Sequence, residues 1–549
     1  MTRLPSLLCL ALGLCCGATP AQESQPLVWK SQVLDVAIPL RDGRSLAADI
    51  HLPEAPGRYP AILVQTPYDK RRFAAAFPAA DADKLFDREH YAWVVVDWRG
   101  FHASKEAMHG GFRNANRGQD GYDCVEWVAT QSFCDGKVGT YGGSALGHQQ
   151  FATAAERPPH LVCCVPMIAP LGQAYERYYP GGVLLEGHVQ TLDRLGFGLG
   201  KSVRQAPLAS AVAWGLVRQA NRKPADFDLP LLLITGWWDH YPQAILETFA
   251  ALREHGGPRA REHTRLVIGP WDHMHLGVAE QGDLRFAGAA GAPVELARRF
   301  LARWLRGSDV AGWDREPPLR YWQAGEEGWR QADTWPPPCA AQTWYLHSDG
   351  VLDQTIPGAR DAAHLLERAY RYDPREPVRT LGGANLPPLP GGPRRLDALA
   401  QRADVLAYTS APLPAPLRLA GQARVALTFR VDRVDCDVVV LLAQVEEDGT
   451  AILLADGIRR AKLRDSTKMP SLLKPGQDYD LEVELPPLAC TFAAGQRLRI
   501  YLASGNWPRY ERNPNTGDDH WVAEKSLPLA ITFRHDRDRP MRLVLPVMR

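Results

Sequence analysis

The stretch Lys137-Val138-Gly139-Thr140-Tyr141-Gly142-Gly143-Ser144-Ala145-Leu146-Gly147 decides how this chain is read. A short apolar run ends in two glycines, a serine follows, and small or apolar residues then open a helical pattern. That composition suits a strand–turn–helix elbow, which holds a serine in a strained backbone and exposes its hydroxyl. Glycines beside the serine remove side chains where strand and helix nearly touch. Taken alone, the pattern does not separate a nucleophile from an ordinary loop turn.

Outward from the elbow, the flanking sequence reads as an α/β sheet. Val33–Ile38 and Leu46–Leu52 bracket the turn Arg41-Asp42-Gly43-Arg44 and predict an antiparallel hairpin. Tyr59–Gln65, Tyr91–Asp97, Val138–Tyr141, Leu161–Pro166, Pro230–Thr235 and Arg265–Gly269 are nearly continuous apolar runs. Helical stretches such as Asp120–Thr130 separate them, and Leu296, Phe300 and Trp304 recur at helical spacing. Such a series implies a parallel sheet covered on both faces. Pro170 to Pro224 interrupts it without a convincing strand, which places a helical cap above the sheet edge where ligands bind. After Pro317-Pro318, short strands such as Gln342–Leu346, Ala423–Val431, Val438–Val445 and Arg497–Leu502 predict a β-sandwich of the jelly-roll kind. The expected domains are a sheet domain over 22–169 and 227–316, a cap over 170–226 and a jelly roll over 317–549.

Bulk properties narrow the function. The chain has 549 residues and a formal net charge of +1, which gives no support for a nucleic-acid partner. Arg3, the apolar run Leu7–Leu14 and the small residues Ala18-Thr19-Pro20-Ala21 read as a leader over 1–21, cleaved before Gln22. An exported protein, periplasmic or secreted, is the expectation. No later stretch is long and apolar enough to predict a membrane span. Three of the ten cysteines fall in the leader; Cys124 and Cys134 bracket a predicted helix and leave a local bridge open. No pair has zinc-site spacing, and Asp272-His273-Met274-His275 lacks a recognised ligand set, so no metal is expected.

A serine nucleophile needs a base, a carboxylate to orient that base, and donors for the oxyanion. In the α/β-hydrolase order, serine is followed by the acid and then the histidine, each just past a strand. Leu231-Leu232-Leu233-Ile234-Thr235-Gly236-Trp237-Trp238-Asp239 ends an apolar strand in an acid, and Arg265-Leu266-Val267-Ile268-Gly269-Pro270-Trp271-Asp272-His273 ends the next in a histidine. Ser144, Asp239 and His273 thus share order and placement. His275 and Asp272 are weighed as the alternative base and acid. His148 and His240 read as local hydrogen-bonding residues, and Trp237, Trp238 and Trp271 as candidate walls of an acyl pocket.

With these residues in place, the chain resembles the cocaine esterase and X-prolyl dipeptidyl-peptidase hydrolases, the CocE/NonD family. The likeness is carried by Thr66-Pro67-Tyr68-Asp69-Lys70, Asp97-Trp98-Arg99-Gly100, the segments through the three site residues, and Trp507-Pro508-Arg509-Tyr510-Glu511-Arg512-Asn513-Pro514-Asn515. It implies an α/β-hydrolase fold with an inserted helical cap and a C-terminal jelly roll. It further implies Ser144 as nucleophile, Asp239 as orienting acid and His273 as base, with the Tyr68 hydroxyl and the Ala145 amide as oxyanion hole, and no cofactor. Many relatives carry an aromatic residue where this chain has Ala145. Arg99 is expected to fix loops near the site, and Trp507–Asn515 to hold the jelly roll against the hydrolase domain.

The substrate implied is a small ester, an amide or a short peptide. X-prolyl dipeptidyl-peptidase and α-amino acid ester hydrolase action remain open here. Both require carboxylates for a free α-amino group, for which Glu176 and Glu186 in the cap are candidates. The reading from a different class is a jelly-roll binding protein with a vestigial hydrolase fold.

Overall fold

A computed structural model describes residues 30–72, 87, 89–108, 117–308, 310, 312–326, 328–357 and 366–549. The stretch 1–21, expected to be a leader, lies outside the described residues. The hairpin forms as β1 (Gln32–Pro39) and β2 (Ser45–His51). It joins β3 (Tyr59–Thr66), β4 (Ala92–Asp97), β5 (Cys134–Gly143), β6 (Leu161–Met167), β7 (Leu232–Trp238) and β8 (Arg265–Asp272) in the spatial order β1-β2-β4-β3-β5-β6-β7-β8. From β4 to β8 every pairing is parallel. The strands β4 and β7 are buried along their whole length, which is why they read as unbroken apolar runs. Helices α1 (Arg117–Thr130) and α2 (Ala145–Ala155) flank β5.

The chain leaves β3 for β4 on one side and then returns to β5 on the other. At such a reversal the connections diverge and open a crevice at the carboxyl ends of the strands. Tyr68 follows β3 and Ser144 follows β5, so both sit at its mouth.

Two strands beyond the boundary read at residue 317 add to this same sheet. β9 (Leu319–Gln323) pairs parallel with β8, and β10 (Gly328–Ala332) pairs antiparallel with β9. The Pro317-Pro318 pair therefore precedes a strand flanked on both sides, held in place by buried Leu319, Tyr321 and Trp322, and the sheet of the first domain runs on to residue 332.

The segment 170–226 contains α3 (Glu186–Arg194), α4 (Gly200–Arg204), α5 (Val212–Ala220) and several single turns. It has its own small core, in which Tyr175 stacks on Tyr179 at 5.0 Å and meets Trp214 edge-on at 5.7 Å. From Cys339 onward the chain forms two packed sheets. Among the described residues the larger has nine strands; the smaller orders Leu406–Thr409, Arg497–Ala503, Asp437–Val445 and Ala451–Arg460. Trp507–Asn515 ties this jelly roll to the cap. The Gly187 N–H donates to Pro508 O (2.9 Å), and the Glu511 N–H donates to Leu184 O (2.9 Å). Cys124 and Cys134 are free, buried thiols, so the local bridge does not form.

Candidate active site

Ser144 occupies the single residue between β5 and α2, with φ 56° and ψ −120°. A non-glycine residue at positive φ is strained, and the surrounding structure must enforce it. Here its N–H donates to Met167 O (2.9 Å) and its carbonyl accepts from the His148 N–H (3.0 Å). The neighbouring glycines are required by space. A Cβ at Gly142, itself at φ 145°, would lie 2.6 Å from the Leu146 Cβ; one at Gly147 would lie 2.6 Å from the Ala169 Cβ.

The three strand-end residues converge. His273 Nε2 lies 3.1 Å from Ser144 Oγ, and His273 Nδ1 lies 2.6 Å from Asp239 Oδ1. Asp239 is almost wholly buried and also accepts from the His240 N–H (2.6 Å) and from Thr235 Oγ1–H (2.9 Å, at Oδ2). Three acceptances with fixed directions lock the carboxylate. The alternative pair does not face the serine. Asp272 caps its own turn by accepting from the Met274 and His275 N–H groups and from the His275 ring, whose side chain is 56% exposed.

The Tyr68 hydroxyl sits against Ser144 and the Ala145 amide, and burial pushes its phenol above the ordinary value, which keeps it a proton donor near neutral pH. Its loop is pinned from below. Asp97 Oδ1 accepts from the Lys70 N–H (2.7 Å), and Oδ2 accepts from the Ala103 N–H (3.1 Å). Arg99 donates to both oxygens of Asp120 (2.8 and 2.6 Å) and to Asp42 (2.7 Å). The Asp97–Gly100 segment thus braces the loops around the site.

A family model for X-Pro dipeptidyl-peptidase (S15 family) matches residues 42–213 and 209–275, and one for the X-Pro dipeptidyl-peptidase C-terminal non-catalytic domain matches 311–544. The cocaine esterase of Rhodococcus sp. is 29% identical, covering 94% of this chain and 98% of its own. The chain belongs to the CocE/NonD family of hydrolases. It is accordingly a serine hydrolase of ester or peptide bonds. Its α/β-hydrolase fold with cap and jelly roll is shared with an α-amino acid ester hydrolase (TM-score 0.77, 23% identity, 96% of this chain and 99% of that one). A CocE/NonD hydrolase from Staphylococcus aureus shares it too (TM-score 0.68, 18% identity, 94% of each chain).

In this CocE/NonD hydrolase the three tryptophans read as acyl-pocket walls are engaged elsewhere. Trp237 Nε1–H donates to Trp322 O (2.8 Å), and Trp238 Nε1–H donates to Leu454 O of the jelly roll (2.9 Å). Trp271 is fully buried and packs on Trp329 at 5.9 Å. Trp237 and Trp271 pack against β9 and β10 of the sheet, and Trp238 reaches across to the jelly roll.

The crevice is lined instead by residues the sequence does not single out together. Arg177 of the cap lies 4.3 Å over the Tyr241 ring, and its Nη2–H donates to His148 Nε2 (3.3 Å). His188 meets His240 at 4.6 Å, and the His240 ring stacks on His273 at 5.3 Å. Burial pushes His148 and His240 well below the ordinary imidazole value and His188 down to about 3, so all three are neutral near pH 7. The clue available in sequence was the density of Tyr175-Glu176-Arg177-Tyr178-Tyr179 within a cap, but it carries no spacing that aims a side chain at Ser144.

Proposed function

We propose that the enzyme hydrolyses carboxylic esters and amides through an acyl-enzyme on Ser144. As Ser144 Oγ attacks the carbonyl carbon, His273 Nε2 takes its proton, and Asp239 stabilises the resulting imidazolium. The carbonyl electron pair moves onto oxygen, which sits between the Tyr68 hydroxyl and the Ala145 N–H. Collapse expels the alcohol or amine, which leaves with the proton from His273. Water then attacks the acyl-enzyme with His273 again as base, and the acid is released.

The unbroken chain from Ser144 Oγ through His273 to Asp239, at 3.1 and 2.6 Å, is the observation that carries this reading. Its test is labelling with a fluorophosphonate, followed by peptide mapping. The expected adduct is on Ser144, and an unlabelled protein that binds glycans or peptides would favour the non-catalytic reading. Substrates with a blocked or absent α-amino group are favoured over dipeptides and amino acid esters. Glu186 is held by Arg204 (2.8 Å) and Gln190 (2.6 Å), and Glu176 is exposed, so neither acid candidate is offered to an ammonium group at the serine. Equal rates on free and N-acetylated aminoacyl esters support this; dependence on the free amine refutes it. Export is part of the proposal and rests on the leader composition; N-terminal sequencing of the mature protein is expected to begin at Gln22.

A further inference from the structure

The charged cap residue that reaches the crevice is a cation. Arg177 has five N–H donors. One bonds Gly172 O, another bonds His148 Nε2, and its Nε is buried without a hydrogen-bond partner. Among the described residues no carboxylate lies within ion-pair distance of it. The acid next to it in sequence, Glu176, points outward and is exposed. Other local charges are already matched: Asp239 is spent on His273, and Arg509, the next cation toward the jelly roll, is paired with Asp456 at 2.8 Å. Arg117 adds positive charge on the side of Tyr68 and His148.

His188 supplies a second donor beside it. Its Nε2 lies 3.3 Å from the Tyr241 hydroxyl, on the same ring that Arg177 covers, and its Nδ1 is buried without a hydrogen-bond partner. With the Tyr241 hydroxyl donating to Nε2, the neutral imidazole carries its proton on Nδ1. A half-buried guanidinium and a buried, unused imidazole N–H then both lie against Tyr241, whose ring is 6.1 Å from that of His273, and no protein anion among the described residues satisfies them. Unmatched buried charge is costly, and a ligand of opposite sign removes that cost.

We infer that Arg177 and His188 form a carboxylate subsite, so that the preferred substrate is an ester or amide bearing a carboxylate near the scissile bond. This deepens the Ser144 reading and rests on it. A guanidinium fits the group because it can present two parallel donors to two carboxylate oxygens.

The test compares matched pairs in wild type, Arg177→Met and Arg177→Lys. One pair places the charge on the acyl side (p-nitrophenyl hydrogen glutarate against p-nitrophenyl pentanoate). The other places it on the leaving group (4-carboxyphenyl against phenyl butyrate). In at least one pair, wild type is expected to favour the anion in kcat/KM by about tenfold or more, as for a charge-assisted hydrogen bond. Arg177→Met should abolish that ratio, chiefly through KM, and Arg177→Lys should restore part of it. A structural role alone would lower both members of a pair together and leave the ratio unchanged, which would overturn the inference, as would the absence of any preference in wild type. Glutarate against glutaramide binding to Ser144→Ala, by calorimetry, reads the subsite without turnover. Binding of glutarate that vanishes with Arg177→Met would uphold the subsite even if Ser144 were not the nucleophile, and equal binding of the two compounds would overturn it.

Discussion

Two buried chains of charged groups run beside the cap, and they differ in how they end. At the carboxyl edge of the central sheet, Asp239, His273 and Ser144 form a line whose last member is a half-buried hydroxyl facing the crevice. Beneath the cap, inside the jelly roll, Arg460 binds both oxygens of Asp437 (2.9 and 2.9 Å) and Glu511 (2.6 Å), and Asn513 bridges Asp435 and Asp437. The second group is closed: the Arg460 and Glu511 side chains are 3% and 0% exposed. Similar hydrogen bonds thus serve opposite ends. An open chain can pass a proton to a substrate, whereas a closed one fixes how two domains meet, through the Glu511 and Leu184 backbones.

The sharpest way to break the comparison is to remove the open end. Ser144→Ala should lower kcat on activated esters by roughly 10⁴-fold or more, about 5.4 kcal/mol or above, while the thermal midpoint stays close to wild type. Removing a member of the closed group should do the reverse. Arg460→Met leaves Asp437 and Glu511 buried without their cation and is expected to cost about 3–5 kcal/mol of stability, read from denaturant midpoints. If Arg460→Met instead left stability intact and abolished hydrolysis, the assignment of the two chains would be inverted.

How far each chain was legible in sequence follows from how it is built. Ser144, Asp239 and His273 each follow a buried parallel strand, and a parallel sheet places successive strand ends along one edge. Order along the chain therefore carries spatial information, and their convergence was readable. The crevice wall is different. Arg177, His188 and Tyr241 come from a single turn, a cap helix and the loop after β7, so only the packing of the cap decides that they meet. The tryptophans show the same limit from the other side: Trp237, Trp238 and Trp271 neighbour the site in sequence, yet their indoles reach Trp322, Leu454 and Trp329. Proximity along a strand says which end a residue occupies and not which layer its side chain joins. The boundary at Pro317-Pro318 falls close to the start of the matched C-terminal domain at residue 311 but before the last two strands of the sheet, because a short outer strand of a sheet domain and a first strand of a sandwich have the same composition.

The oxyanion donor tests the open end more finely. Tyr68→Phe keeps the ring in its half-buried seat and removes only the hydroxyl set against Ser144 and the Ala145 amide. The expected loss is about 3 kcal/mol in the chemical step, roughly 10²-fold in kcat, with KM nearly unchanged, since the donor matters most once charge develops on the carbonyl oxygen. A loss confined to KM would assign Tyr68 to ground-state binding instead.

The smallest effect comes from the closed chain and reads as a pH dependence. Burial, outweighing the pull of Arg460, raises the Glu511 carboxyl from 4.5 to about 6, and its Oε2 has no hydrogen-bond partner. Between these values the folded state holds a proton that the unfolded chain has released. Stability from this group therefore grows as pH falls from 7 toward 4.5 and is lost as pH rises through about 6. The shift amounts to about 2 kcal/mol across the whole window, and part of it lies between pH 7 and pH 5. Glu511→Gln retains a carbonyl oxygen for Arg460 and the Leu184 N–H but cannot titrate. Asp435, also raised to about 6 by burial, contributes with the same sign in both proteins and largely cancels in their difference. The stability gap between wild type and Glu511→Gln is thus expected to move by about 1–2 kcal/mol in favour of wild type on going from pH 7 to pH 5, measured by urea denaturation. A gap that stays constant would mean that Glu511 keeps its charge throughout, and that Arg460 holds the closed chain fully ionised.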